Sequence, residues 1–287
     1  MSDVITYQRA NFDEAAMNEL CDAVHSPSSL DLTFTEGATE ATAIMERLKK
    51  ARLISEGSHL QLGTKRITYD PDSRVLSISS VPLQFPSYGK GSLMEAIGAR
   101  EEKEDLVGPL TSVFVHVHDG ELYSMQIRGG NIGAPGKLQI PAGFCVYDVH
   151  PATTALNEVA EEVFKVDDEE AIARAIEQHR LEYSLPRNQF LDIAPFVHGS
   201  GMIDPLLSYV VRADLSETGS VITSTDDLKK FEAGLPSERV GEAYTFRVPL
   251  EKTRELLEKL EPKMYGPVRR TGERFLDWFN KEKGTNY

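Results

Sequence analysis

Cysteine is scarce in this chain: Cys21 and Cys145 are the only two among 287 residues. Two thiols are too few for a disulfide framework or a zinc cluster. Cys145, beside a glycine, reads as a small buried filler before it reads as a reactive thiol. Basic charge is also short, with 31 Lys and Arg against 45 Asp and Glu and a formal net charge of -14. That balance argues against nonspecific nucleic-acid binding and against attraction to an anionic membrane, since both need basic patches. An anionic substrate would then have to be met by a local basic residue or a metal. No apolar run approaches the roughly 20 residues of a membrane-spanning helix. Residues 1–14 lack the basic start and apolar core of a signal peptide, so the expected location is cytoplasmic.

What is present is the composition of an ordinary globular protein, with 40% hydrophobic and 26% charged residues. The length allows a full core plus an extension. Residues 1–105 read as a small α+β region without an assignable chemistry. In it, Phe12, Ala16, Leu20 and Val24 predict a helix from Asn11, its cap, to about His25, and a second helix is expected over residues 38–51. Strands are expected around residues 59–62, 65–69 and 74–79, with a turn at 70–73.

A charged link at residues 101–105 leads into a second region, 106–262. There Ser112 to His118 alternates, turns at Asp119 and Gly120, and returns from Leu122 to Arg128 as a hairpin. The glycine-rich run 129–136 reads as a flexible connection ahead of phosphate binding, because it does not open a helix. Further on the pattern predicts a helix over 167–182, strands over 191–197 and 206–213, a polar stretch over 216–241, a strand over 243–250 and a helix over 251–260. The tail, 263–287, reads as an amphipathic helix docking through Phe275, Trp278 and Phe279, with packing preferred to a homodimer contact.

The chemistry concentrates in residues 138–166. A strand end runs into Pro-Ala-Gly, and then a helix opens at Pro151, where a missing N–H costs nothing. Glu158, Glu161 and Glu162 stand at i, i+3 and i+4, so their carboxylates share a face, while Leu156, Val159 and Val163 fall on the other. Three like charges on one face want compensation, and oxygen ligands suit Mg2+ or Mn2+. A solvated acidic face is the alternative reading of these residues alone.

This stretch resembles the Nudix box, whose Arg-Glu-U-x-Glu-Glu-x-Gly-U segment (U, a bulky aliphatic) closes a run opened by Gly. Gly143, Glu158, Val159, Glu161 and Glu162 match in register, and His150-Pro151 stands where family members often carry Ser-Pro. Val149 replaces a glutamate, Asn157 the arginine, Phe164 the glycine and Lys165 the last aliphatic. The order of elements around the box is also similar to that of Nudix domains. The resemblance implies an α+β fold of the Nudix type, an α/β/α sandwich with a mixed sheet, preceded here by the small N-terminal region.

The resemblance further implies a divalent-metal-dependent hydrolase of a nucleoside diphosphate linked to another moiety, ADP-ribose or a nucleotide sugar among them. Glu158, Glu161, Glu162 and the carbonyl of Ala142 would hold Mg2+ or Mn2+, with Glu158 and Glu162 catalytic. A late-loop glutamate, Glu242 ahead of Glu238, would serve as a further ligand or base. Arg128 and His198 are the expected substrate contacts, with a surface ion pair and a structural histidine as their plainer readings. His116 and His118 share a strand face and read as solvated or satisfied residues, not as a metal pair. The alternative function is a Nudix-fold protein that binds a nucleotide or partner without hydrolysis; an isomerase on the same fold is a third.

Overall fold

Asp13 opens the first helix, α1 (Glu14–Ala23), by accepting from the backbone N–H of Ala16 at 2.7 Å. In the computed structural model the described residues are 4–8, 13–34, 42–43, 46, 49–50, 59–83, 109–129, 134–166, 168–197, 203–236 and 243–287. Asn11 and Phe12, most of the helix expected over 38–51, and the link at 101–105 lie outside them. The cap seen is thus Asp13, not Asn11. Chain contacts divide the molecule into two compact units: Met1–Val113 with Phe144–Thr154 and Ile193–Leu207, and Phe114–Gly143 with Ala155–Asp192 and Ser208–Tyr287.

The first unit holds a sheet whose strands β1 (Ile5–Gln8), β2 (Ser28–Phe34), β3 (Gln61–Asp70) and β4 (Val75–Leu83) run in the order β1-β3-β4-β2. Strands β3 and β4 form the expected hairpin, closed by Asp70, which accepts from the Ser73 hydroxyl at 2.6 Å and the Asp72 N–H at 3.0 Å. A register shift between Thr64 and Arg66 explains why the sequence reads as two short strands where there is one. Strand β2, parallel to β4, was not foreseen from the sequence. Leu62, Ile67, Tyr69, Leu76 and Ile78 are fully buried together with Met17, Leu20 and Cys21 of α1.

The remaining elements are β5 (Ser112–His118), β6 (Leu122–Arg128), β7 (Leu138–Gln139), β8 (Ala142–Phe144), α2 (Pro151–Val163), α3 (Glu169–Gln178), β9 (Glu182–Tyr183), β10 (Gln189–Phe190), β11 (Asp192–Val197), β12 (Ile203–Arg212), β13 (Ser220–Val221), α4 (Thr225–Gly234), β14 (Ala243–Pro249), α5 (Leu250–Leu260) and α6 (Val268–Lys283). In the second unit the strands follow the order β12-β5-β6-β14-β13, with β7 added to β6. The sheet is mixed: β13 pairs with β14 in parallel, whereas β14 and β7 pair with β6 antiparallel.

Alternation along β6 sorts this sheet into two faces. Tyr123 stacks on Phe275 of α6 with ring centroids 5.0 Å apart. Gln126, of the opposite parity, donates to the carbonyl of Glu162 in α2 at 3.1 Å. Helices therefore cover both faces, and the α+β class with a mixed sheet is the one observed. The tail packs as expected, with Phe275 and Phe279 buried and Trp278 half-buried.

Two helices depart from expectation. α3 ends at Gln178 because His179 caps it and Arg180 takes a left-handed φ of 51°, freeing Glu182 and Tyr183 to pair with β12. α4 lies inside the stretch read as merely polar. Ser224 caps it by accepting from the Asp227 N–H at 3.2 Å, while Asp227 accepts from the Thr223 and Ser224 hydroxyls at 2.8 and 2.9 Å.

The loop before α4 is tied to β14 by Arg247, which donates to the carbonyls of Leu215, Ser216 and Gly219 at 2.7, 3.0 and 2.9 Å. Gly219 has a φ of 56°, and a Cβ there would lie 2.2 Å from the Thr245 carbonyl oxygen. Gly219→Ala is therefore expected to lower unfolding free energy by about 2 kcal/mol or more in urea titration. A variant as stable as wild type would show that this loop does not approach β14 as described.

Candidate active site

His150 and Pro151 start α2 in the way the sequence suggests, and the Nδ1 of His150 accepts from the Ala152 N–H at 3.2 Å. The imidazole so does at the helix entrance what a serine hydroxyl does at an N-cap. Along the helix Val159, Ala160 and Val163 are buried and Leu156 is half-buried, which fixes the apolar side. Glu158 and Glu162 are half-buried on the other side, and Glu161 is exposed.

Opposite those glutamates runs the backbone of residues 141–143. It is anchored to β5 by the Val115 N–H, which donates to the Pro141 carbonyl at 2.8 Å. The Ala142 N–H donates to the Glu162 carboxylate at 3.2 Å. At Gly143 the fit is closer still: a Cβ there would stand 1.7 Å from Oε1 of Glu158 and 2.1 Å from its Cδ. The carboxylate of Glu158 thus occupies space that any other residue at 143 would fill. The N–H of Ala142 thus meets Glu162, while its carbonyl oxygen is the group expected to face a metal.

These two carboxylates, one helical turn apart and turned onto the same short backbone segment, fit a hard divalent ion, because Mg2+ takes one or two carboxylates and leaves its other positions to water and phosphate oxygens. Among the described residues no three His, Cys, Asp or Glu side chains are gathered at ligating distance. Glu161, on the same helix, is exposed. Glu238, Glu242 and His198 lie outside the described residues.

Arg128 stands at the end of β6. Its guanidinium lies over the Tyr265 ring, 3.9 Å from the centroid, and its Nη1 donates to Oε1 of Gln139. Gln139 in turn donates to Oε1 of Gln126 at 3.2 Å, and Gln126 donates to the Glu162 carbonyl. Thr245, opposite Gln126 on β14, donates to the same carbonyl at 3.2 Å. None of Gln126, Gln139 or Thr245 was singled out in the sequence. The available signal was Ser124, Gln126 and Arg128 at alternate positions, a polar face on a strand otherwise made of Leu, Tyr, Met and Ile.

The departures at the end of the box also have structural accounts. α2 stops at Val163, and the left-handed residue is Lys165, with a φ of 61°, not the residue at 164. Phe164 is then available to stack on His179, with centroids 3.8 Å apart and planes 12° apart. Lys165 donates to the Ala243 carbonyl at 2.8 Å. Beside this turn opens a cleft of about 460 Å3 whose lining includes Phe164, Lys165, His179, Glu217, Tyr244 and Thr245.

No family model matches the chain, and no curated protein matches it. Solved structures do show likeness. One is a NUDIX hydrolase from Nitrosomonas europaea, 12% identical, covering 62% of this chain and 92% of that one, with a TM-score of 0.37. Another is a NUDIX-family hydrolase from Clostridium perfringens, 11% identical over 58% of this chain and 96% of that one, TM-score 0.36. A further NUDIX hydrolase from Nitrosomonas europaea is 11% identical over 62% of this chain and 74% of that one, TM-score 0.34.

His116 and His118 are not solvated: they are 0% and 4% exposed. His116 Nδ1 pairs with the Tyr123 hydroxyl at 2.8 Å and His118 Nε2 with the Ser184 hydroxyl at 3.1 Å. Both rings face Phe275, on the side of the sheet opposite to Gln126, so they take no part in the glutamate site. Among the described residues no helix is long and apolar enough to cross a membrane.

Proposed function

We propose that this protein is a divalent-metal-dependent hydrolase that cleaves the diphosphate of a nucleoside diphosphate linked to another moiety. The observation that carries the reading is the convergence of Glu158 and Glu162 on residues 142 and 143, at the positions where the sequence resembles the Nudix box. Glu158 and Glu162 would hold Mg2+ or Mn2+, with Glu161 as a further ligand from the same helix. The chemistry such an ion supplies when bound is neutralisation of diphosphate charge and acidification of water.

The chain's own contributions follow from the geometry. Gly143 leaves room for the Glu158 carboxylate, and the Ala142 N–H orients that of Glu162. Asn157 stands where the family's arginine would compensate these charges, and a bound cation would supply part of that compensation. Arg128 is the basic residue assigned to the phosphate, its guanidinium plane set by Tyr265. Glu242, as base, and His198, as a substrate contact, rest on the resemblance alone. ADP-ribose and nucleotide sugars are the first substrates to try, and a small nucleotide the partner, not a nucleic acid or a membrane.

The test is a hydrolysis screen with Mg2+ and then Mn2+ across ADP-ribose, nucleotide sugars, dinucleoside polyphosphates, NADH, coenzyme A and nucleoside triphosphates, with Glu162→Gln alongside. Turnover of one class is expected, reduced on the order of 100-fold or more by Glu162→Gln. No turnover by folded wild-type protein, or turnover indifferent to Glu162→Gln, would reject the assignment. The first result would move the non-hydrolytic binding reading to the front.

A further inference from the structure

The carbonyl of Glu162 belongs to the last turn of α2, where the final four carbonyls have no helical partner. Water or a tightened turn ordinarily serves such groups. Here one carbonyl receives two side-chain donors from the sheet, Gln126 Nε2 at 3.1 Å and Thr245 Oγ1 at 3.2 Å, from residues that stand opposite each other on β6 and β14. The residue so anchored is one of the two whose carboxylates meet the 142–143 backbone.

Gln126 is 0% exposed and Gln139, its partner on β7, 1% exposed. A buried primary amide is unfavourable unless its groups are bonded, so a leucine would serve better if the position only filled space. The amides are arranged in one direction. Arg128 donates to Gln139, Gln139 donates to Gln126, and Gln126 donates to Glu162. A cation at the head of such a chain polarises each link and strengthens the last N–H as a donor.

We infer that Gln126, assisted by Thr245, is the positioning residue for Glu162: it pins the main chain of Glu162 to the sheet and so directs the carboxylate at the Ala142 N–H. The consequence for metal affinity rests on the function proposed above; the consequence for the Ala142 hydrogen bond does not. Gln126→Met keeps the volume and removes the donor. Thr245→Val removes the second donor at nearly constant shape, and Thr245→Ser restores it.

Two measurements on the full chain test this. In 1H–15N spectra the Ala142 amide resonance, which a carboxylate acceptor shifts downfield, is expected to move upfield in Glu162→Gln, by a comparable amount in Gln126→Met, less in Thr245→Val, and to return in Thr245→Ser. In Mn2+ titrations followed by electron paramagnetic resonance, Gln126→Met is expected to raise the dissociation constant about 10- to 100-fold. An Ala142 resonance at its wild-type position in folded Gln126→Met and Thr245→Val overturns the inference, and Thr245→Val alone decides if Gln126→Met does not fold. A shifted Ala142 resonance combined with no Mn2+ binding by wild type upholds the positioning role and rejects the metal-dependent reading. A shifted resonance with unchanged Mn2+ affinity in the variants removes the link between the two.

Discussion

Gly143→Ala is expected to leave the protein folded and to remove Glu158 from its site. The added Cβ would lie 1.7 Å from Oε1 of Glu158, a separation no pair of nonbonded atoms sustains, so one of them must move. Gly143 is not among the glycines with a left-handed φ, and alanine therefore brings no backbone strain of that kind. The clashing atom is the end of a flexible side chain, while the backbone at 141–143 is tied down by the Val115 N–H and by Glu162. The side chain is what yields. Rotating a half-buried carboxylate toward water costs little, and the urea midpoint should shift by no more than an ordinary surface substitution, about 0.5 kcal/mol.

Function should respond quite differently. With Glu158 turned away, one carboxylate of the pair is lost, and Mn2+ affinity and turnover should both fall on the order of 100-fold, as in Glu158→Gln. Because both substitutions act through the same group, the double variant Gly143→Ala/Glu158→Gln should lose nothing beyond either single one. Wild-type Mn2+ affinity in Gly143→Ala would show that the Glu158 carboxylate does not need the space at Gly143, and additive losses would show that Gly143 acts by some other route.

The two glycine–carboxylate and amide–carboxylate contacts were legible in the sequence only as spacing. Periodicity places Glu158, Glu161 and Glu162 on one face of a helix, and that is a local property. Which of the three turns toward the 142–143 backbone is set by the sheet under the helix, and periodicity cannot report it. Glu161 stays exposed, whereas Glu162, one residue on, has its carbonyl fixed by Gln126 and Thr245, which lie 36 and 83 positions away.

The fold was readable wherever pattern and local chemistry agreed. The hairpin of β5 and β6, the start of α2 at Pro151, and the succession of β14 and α5 are of this kind. Strand β2 was missed because its residues Ser-Ser-Leu-Asp-Leu-Thr-Phe alternate weakly, and it gains its place from pairing in parallel with β4, more than 40 positions on. Helix α4 was missed because only Leu228 among its residues is buried, leaving little apolar periodicity, although its Ser-Thr-Asp-Asp start carried a capping signal. The histidines of β5 show the limit from the other side. Alternation correctly gives them a common face, but burial of that face depends on α6, and an isolated strand pattern does not contain the helix that covers it.

Burial of those histidines is expected to make the protein acid-labile above the pH at which carboxylates titrate. His116 is held down to about 3, first by burial and then by the charge of His118. His118 is held down to about 4, first by burial and then by Arg212, with Lys283 acting the same way and Asp119 opposing. Protonation would place a cation between Phe275 and the sheet, and among the described residues Nε2 of His116 and Nδ1 of His118 have no hydrogen-bond partner to receive the new proton. Both folded values lie below the ordinary histidine value near 6.5, so below that pH the unfolded chain binds more protons. Stability contributed by the neutral rings is complete above about pH 6.5 and falls with acidification at roughly 1.4 kcal/mol per pH unit for each histidine, until the folded values are reached. Between pH 6.5 and 4.5 the pair should remove on the order of 5 kcal/mol, comparable to the whole stability of many domains. His118→Phe keeps a ring against Phe279 and leaves only the half-buried Ser184 hydroxyl to find water, so it should halve the slope. Urea titrations of both proteins at pH 7, 6, 5 and 4.5 measure it directly. A wild-type stability that stays level from pH 7 to 5, or a slope unchanged by His118→Phe, would mean that these rings are not held neutral under α6.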